Sequence, residues 1–210
     1  MAKAIPKFAP IRHNNIVKNY QEMHKTKPYL TLEYGLEGLL NVFTLHDFSM
    51  FHVLEEEFGT EEAVSLYAKI WKKRTYYEWP GLLRQAGIKA GKKKLSMDEL
   101  IKIMQIYFET FGNPIFLTEK TEDTVTFKVT DCPYTTQILW PMLPAEENLK
   151  YNDKIQIQCN YAIFNTFLEL AGLENDWIFG FPSQLCRTND CCEFTFRRKK
   201  FKEASRKSIE

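Results

Sequence analysis

The 210-residue chain lacks any run approaching eighteen consecutive apolar residues, so no segment reads as a membrane-spanning helix. It lacks an excess of either charge: 28 Lys and Arg face 27 Asp and Glu, giving a formal charge of +1. A polyanion such as nucleic acid therefore meets no global attraction. The first residues, Met1 to Arg12, lack the unbroken apolar stretch of a signal peptide, because Lys3, Pro6, Lys7 and Pro10 interrupt it, and a cytoplasmic protein is expected. Cysteine is scarce as well, five residues with no Cys-x-x-Cys pair. An odd number in a chain of this length favours reduced thiols over a disulfide framework, and the spacing implies no metal site. Also missing are G-x-G-x-x-G, the P-loop, H-E-x-x-H and G-x-S-x-G, which removes the common nucleotide-binding and hydrolase scaffolds and implies no cofactor.

What is present, 44% hydrophobic and 26% charged residues, suits one globular domain burying roughly 70% of its unfolded surface. We place that domain at residues 1–198, with an N-terminal arm (1–30), a mainly helical part (31–112) and a strand-rich part (113–198), followed by a basic, flexible tail (199–210). Lys92, Lys93 and Lys94, and the basic run from Arg197 to Lys207, read as a solvated turn and tail, since no aromatic stacking pattern accompanies them.

Apolar residues at Leu36, Leu39, Leu40, Phe43, Phe51, Leu54 and Phe58 recur at helical spacing up to Gly59, as one helix or two broken near Thr44. Thr60 with Glu61 and Glu62 resembles an N-cap and acidic first turn, opening a helix expected to stop at Trp79, before Pro80 and Gly81. Ser96 and Glu99 form a capping box that opens a helix over Met97 to Phe111, closed by Gly112 and Pro114. Then the period changes. Thr124 to Thr130 alternates and is rich in β-branched residues, a strand with Ile115 to Lys120 as its hairpin partner. Ile155 to Gln158 alternates like a short strand before Asn160 opens a helix up to Gly172, and Trp177 to Cys186 and Cys192 to Arg198 complete a sheet. This order predicts an α+β fold: an N-terminal helical half packed on a small antiparallel sheet, with helices following strands in the C-terminal half.

Cys132 follows a predicted strand and precedes Pro133, a residue favoured at the first helical position, so it falls near an N-cap where unpaired N–H groups favour thiolate. A small buried apolar thiol at a strand end is the alternative. Cys159 repeats the arrangement before Asn160. Cys192 shares one strand face with Phe194 and Phe196, as core residues do. In the helical half, His52 and Glu56 stand four apart, as co-ligands of a metal, an acid–base pair or, more commonly, an ordinary surface pair, and Asp47 and Glu55 lie eight apart near Phe51.

The segments Val129-Thr130-Asp131-Cys132-Pro133-Tyr134, Gln158-Cys159-Asn160 and Arg187-Thr188-Asn189-Asp190-Cys191-Cys192-Glu193-Phe194-Thr195-Phe196 resemble the family named for L-2-amino-thiazoline-4-carboxylic acid hydrolase. The resemblance covers about Leu36 to Arg198, and the closing Cys-x-Phe-x-Phe is also similar to small-molecule-binding domains of the vinyl reductase type. The first resemblance implies a hydrolase opening a C–N bond of a thiazoline or cyclic amidine-like ring, with a small molecule as substrate. Cys132 would be nucleophile or thiol acid/base, Cys159 its partner, and Cys192 the third thiol of the site. Arg187 would clamp a carboxylate, Tyr134 and Asp190 would orient ring and water, and Asn160, Asp47 and His52 would complete the substrate contacts. The competing expectation is a binding or accessory protein without turnover, whose aromatic-lined pocket draws on residues such as Trp79, Trp140, Trp177 and Phe181.

Overall fold

The computed structural model describes residues 13–29, 31–132, 144, 146–147, 152–185 and 191–199. Helix α1 (His13–Thr26) leads into α2 (Leu32–Phe58), whose first turn is capped by the Thr31 hydroxyl accepting from the Tyr34 N–H at 3.1 Å. This cap lies five residues upstream of the first apolar position that the pattern marks, and α2 runs through Thr44 without a break. Gly59 alone links α2 to α3 (Thr60–Gln85). It closes one helix with its N–H on the Glu55 carbonyl and opens the next with its own carbonyl on Ala63, at φ 77°, a conformation that favours glycine.

Helix α3 does not stop at Trp79. It passes through Pro80 to Gln85, and the reason is burial further on. A proline inside a helix costs about 3 kcal/mol, but Trp79, Leu82 and Leu83 are all buried in the main core, and each such side chain contributes about 1.5–3 kcal/mol. The three together outweigh the lost hydrogen bond.

Helix α4 (Met97–Thr110) starts with the expected capping box: Ser96 Oγ accepts from the Glu99 N–H at 3.2 Å, and Glu99 Oε2 from the Ser96 N–H at 2.7 Å. Strands β1 (Ile115–Lys120) and β2 (Thr124–Val129) form the expected hairpin. After the undescribed stretch, a π-helical turn (Asn152–Gln156) runs directly into α5 (Ile157–Ala171). The strand expected at Ile155–Gln158 is thus helical. Its two-residue alternation is outweighed by the spacing of Ile155, Cys159 and Ile163, four apart and all buried, which only a helix places on one face.

Strands β3 (Trp177–Ser183) and β4 (Cys192–Arg198) complete an antiparallel sheet of order β1-β2-β4-β3. The fold is α+β, as the order of elements predicts. Across β2 and β4, Val125 lies opposite Phe196, Phe127 opposite Phe194 and Val129 opposite Cys192. These pairs meet Phe164 and Phe167 of α5 and Tyr107 and Phe108 of α4 in the main core. A second cluster, Phe51, Ala63, Tyr67, Ile155 and Cys159, joins α2 and α3 to the start of α5. No described helix is long and apolar enough to cross a membrane.

Candidate functional site

Between the two clusters lies a cavity of about 110 Å³, walled by Phe43 of α2, Tyr67 and Trp71 of α3, and Tyr107, Phe108 and Phe111 at the end of α4. Spacing explains the aromatic wall. Tyr67 and Trp71, and Tyr107 and Phe111, are pairs four residues apart, so each helix turns two rings to the same side. Val129, Phe181 and Phe194 supply the sheet wall, Gln156, Cys159, Asn160 and Ile163 the α5 wall, and Asn113 and Cys132 border it from the segments after α4 and β2.

Cys132, Cys159, Cys192 and Asn160 therefore meet at one cavity although they are spread over sixty residues. They do not meet as a metal centre. Among the described residues no group of three His, Cys, Asp or Glu side chains could hold a metal ion, and the thiols stand on different walls. None of Cys132, Cys159, Cys191 and Cys192 is joined in a disulfide. Cys192 Sγ accepts from the Leu185 N–H at 3.2 Å, tying the exit of β3 to β4.

Cys159 departs from the expectation of a helix-start thiolate. Gln156 before it is already in helical geometry, so Cys159 does not sit at an exposed helix start. Burial pushes its thiol well above the ordinary 9.0, and the Asp47 charge adds to the shift. A helix dipole contributes about 0.3–1 kcal/mol, whereas full burial moves a pKa by up to 3–5 units. Burial wins, and the thiol stays protonated. Asn160 is not a cap either: its Nδ2 donates to the Gln156 carbonyl at 2.8 Å inside the helix.

Asp47 and His52 do not line the cavity. Asp47 is buried and accepts from the Tyr67 hydroxyl, a cavity-lining ring. His52 packs edge-on against Phe48 at 4.2 Å and stands 4.0 Å from Glu55, not paired with Glu56. Of the aromatics expected to line a pocket, Phe181 does, while Trp79 and Trp177 are core. Tyr134, Arg187, Asp190 and Trp140 lie outside the described residues, as does the cap expected at Cys132 and Pro133.

The residues that sequence reasoning missed are Phe43, Tyr67, Trp71, Phe111 and Asn113, together with Arg74 behind them. The guanidinium of Arg74 lies 4.6 Å from the Trp71 ring, 4.7 Å from Phe43 and 5.2 Å from Phe111. Its Nε and Nη2 both donate to Glu78 Oε1 at 2.6 Å. The signal was available in part: Arg74 and Glu78 are an i,i+4 pair on the helix that carries Trp71.

No family model matches the chain, and neither does any curated protein sequence. Among solved structures, it is similar to trafficking protein particle complex subunit 3 from Naegleria fowleri, covalently bound to palmitic acid. The TM-score is 0.55 at 12% identity, over 79% of this chain and 98% of that one. At that identity the likeness is one of fold. It nevertheless overturns the expectation of a thiazoline or cyclic amidine hydrolase, because the fold recurs in a trafficking-complex subunit. The protonated, buried Cys159 agrees with that correction. The competing expectation, an aromatic-lined pocket without turnover, is the one these findings favour.

Proposed function

We propose that the protein is a cytoplasmic, non-catalytic accessory protein that holds an apolar small molecule in the aromatic cavity. The cavity itself carries the reading: about 110 Å³ between four helices and the sheet, of the order of the roughly 150 Å³ engineered cavity that stays dry and takes up benzene. Such a space accepts a ring or a short run of methylenes, and a longer chain enters as the aromatic walls part. Palmitic acid on the trafficking subunit of similar fold supports an alkyl chain as the occupant class.

The accessory half of the reading rests on α2. Its outward side leaves Leu36, Leu39 and Val42 more than 60% exposed, with Leu32 and Leu45 beside them. A contiguous apolar stripe of this kind marks a contact with another protein chain. The complex named for the trafficking subunit agrees with such a role.

Calorimetric titration with methyl decanoate tests the ligand reading. We expect saturable binding that Ile163→Phe weakens by about tenfold or more, since the added ring fills space the ligand needs. Absence of binding by the intact chain, across alkyl esters of several lengths, sinks the reading.

A further inference from the structure

Five buried side-chain polar atoms have no hydrogen-bond partner among the described residues, and three of them belong to residues in or beside the cavity: Trp71 Nε1, Arg74 Nη1 and Asn113 Oδ1. Trp71 and Asn113 line the cavity directly, and Arg74 stacks on three of its rings. Buried polar groups are nearly always paired, and leaving one unpaired is costly, so three around one space indicate a missing partner.

The set has a definite polarity, two N–H donors and one carbonyl acceptor. Arg74 is already held by Glu78, so the set carries no uncompensated charge. An ionised carboxylate placed there would be a buried charge without a counter-ion, which low-dielectric surroundings penalise.

We propose that these groups mark a head-group subsite for an apolar chain ending in a neutral group that accepts on one atom and donates from the other: a primary carboxamide or an un-ionised carboxyl. Its carbonyl oxygen accepts from Trp71 Nε1, the ring on which Arg74 stacks, and its N–H or O–H donates to Asn113 Oδ1. The chain lies along Phe181 and Ile163. The subsite rests on the cavity being a ligand site and adds which end of the ligand points where.

The experiment compares decanamide with methyl decanoate by calorimetry on the full chain. The ester accepts but cannot donate, so decanamide is expected to bind about tenfold tighter, the ratio for satisfying one unpaired buried acceptor. Asn113→Ala is expected to erase that preference, and Trp71→Phe to weaken both ligands together while keeping it. Decanoic acid should gain affinity from about pH 8 to about pH 5, as its un-ionised fraction grows. Equal binding of amide and ester by the unaltered protein overturns the subsite while leaving the cavity reading intact. Acid binding that is as tight at the higher pH overturns it as well. Failure of all three ligands to bind removes both, and none of these three outcomes depends on a variant folding.

Discussion

The Tyr67 hydroxyl donates a hydrogen bond to the buried carboxylate of Asp47, so α3 is tied to α2 by a polar contact inside the apolar cluster that holds Cys159. One ring thus serves two purposes, lining the cavity with its face and anchoring the helix pair with its oxygen. Tyr67→Phe keeps the ring and removes the donor. We expect a loss of about 1.5–3 kcal/mol, the usual worth of a hydrogen bond to a charged group, read from urea unfolding. An unchanged midpoint would show that Asp47 does not depend on this bond.

Thiol labelling separates the cavity cysteines. Cys159, buried with its thiol pushed well above 9.0, is expected to resist iodoacetamide near neutral pH while half-buried Cys132 and Cys191 react. Peptide mapping of the folded protein reads the order, and early labelling of Cys159 would contradict it.

The same group sets an alkaline limit. Its folded pKa is raised, so stability is complete below the ordinary thiol value of 9.0 and is lost as pH climbs, because the unfolded chain releases a proton that the fold retains. Tyr107, also pushed up by burial, acts in the same direction at higher pH. Urea midpoints should be flat through neutrality and fall above about pH 9, and Cys159→Ala should delay the fall.

Gly172 ends α5 at φ 69°, and a Cβ there would stand 2.5 Å from the Lys93 carbonyl oxygen. The Lys92–Lys94 loop is pinned beside it by Lys94 on Asp176 at 2.6 Å and by the Leu95 N–H on the Ala171 carbonyl at 2.8 Å. Gly172→Ala therefore combines a left-handed backbone with a backbone clash. A cost of roughly 1–3 kcal/mol is expected, against a much smaller effect for Gly81→Ala, whose Cβ meets nothing within 4 Å.

The exposed stripe on α2 should make the isolated chain associate with itself as concentration rises, since apolar area withdrawn from water stabilises contact at about 25 cal/mol per Å². Sedimentation velocity should show this for the unaltered chain and a monomer for Leu36→Glu combined with Leu39→Glu. Monomeric behaviour of the unaltered chain at every concentration would remove the stripe as a contact face.

Local signals were legible where a few neighbouring residues settle the geometry. The Ser96 and Glu99 box, the β1–β2 hairpin, β4 from Cys192 to Arg198 and the stop of α5 at Gly172 all follow from caps, periods and turns within a handful of positions. Errors arose where a distant contact outweighed a local preference. Pro80 stays helical because of what Leu82 and Leu83 bury, and Ile155 to Gln158 is helical because Ile155 and Cys159 pack on α2 and α3. The hydrolase expectation failed for a related reason, because short motifs record which residues a site contains and not the environment that sets their protonation.

By itself, then, the sequence determined the class of fold, because caps, turns and apolar periods are local properties of the chain. Only the tertiary structure decided that Cys132, Cys159 and Cys192 border one cavity, and what they face there. It set Phe43 of α2 against Trp71 of α3 and Phe111 beyond α4, placed Trp71 and Asn113 around one cavity with Arg74 stacked on its rings, and buried Cys159 near the Asp47 charge. The physical reason is that polarity and protonation depend on everything packed within a few ångströms, and here those neighbours come from positions as far apart as 43 and 194.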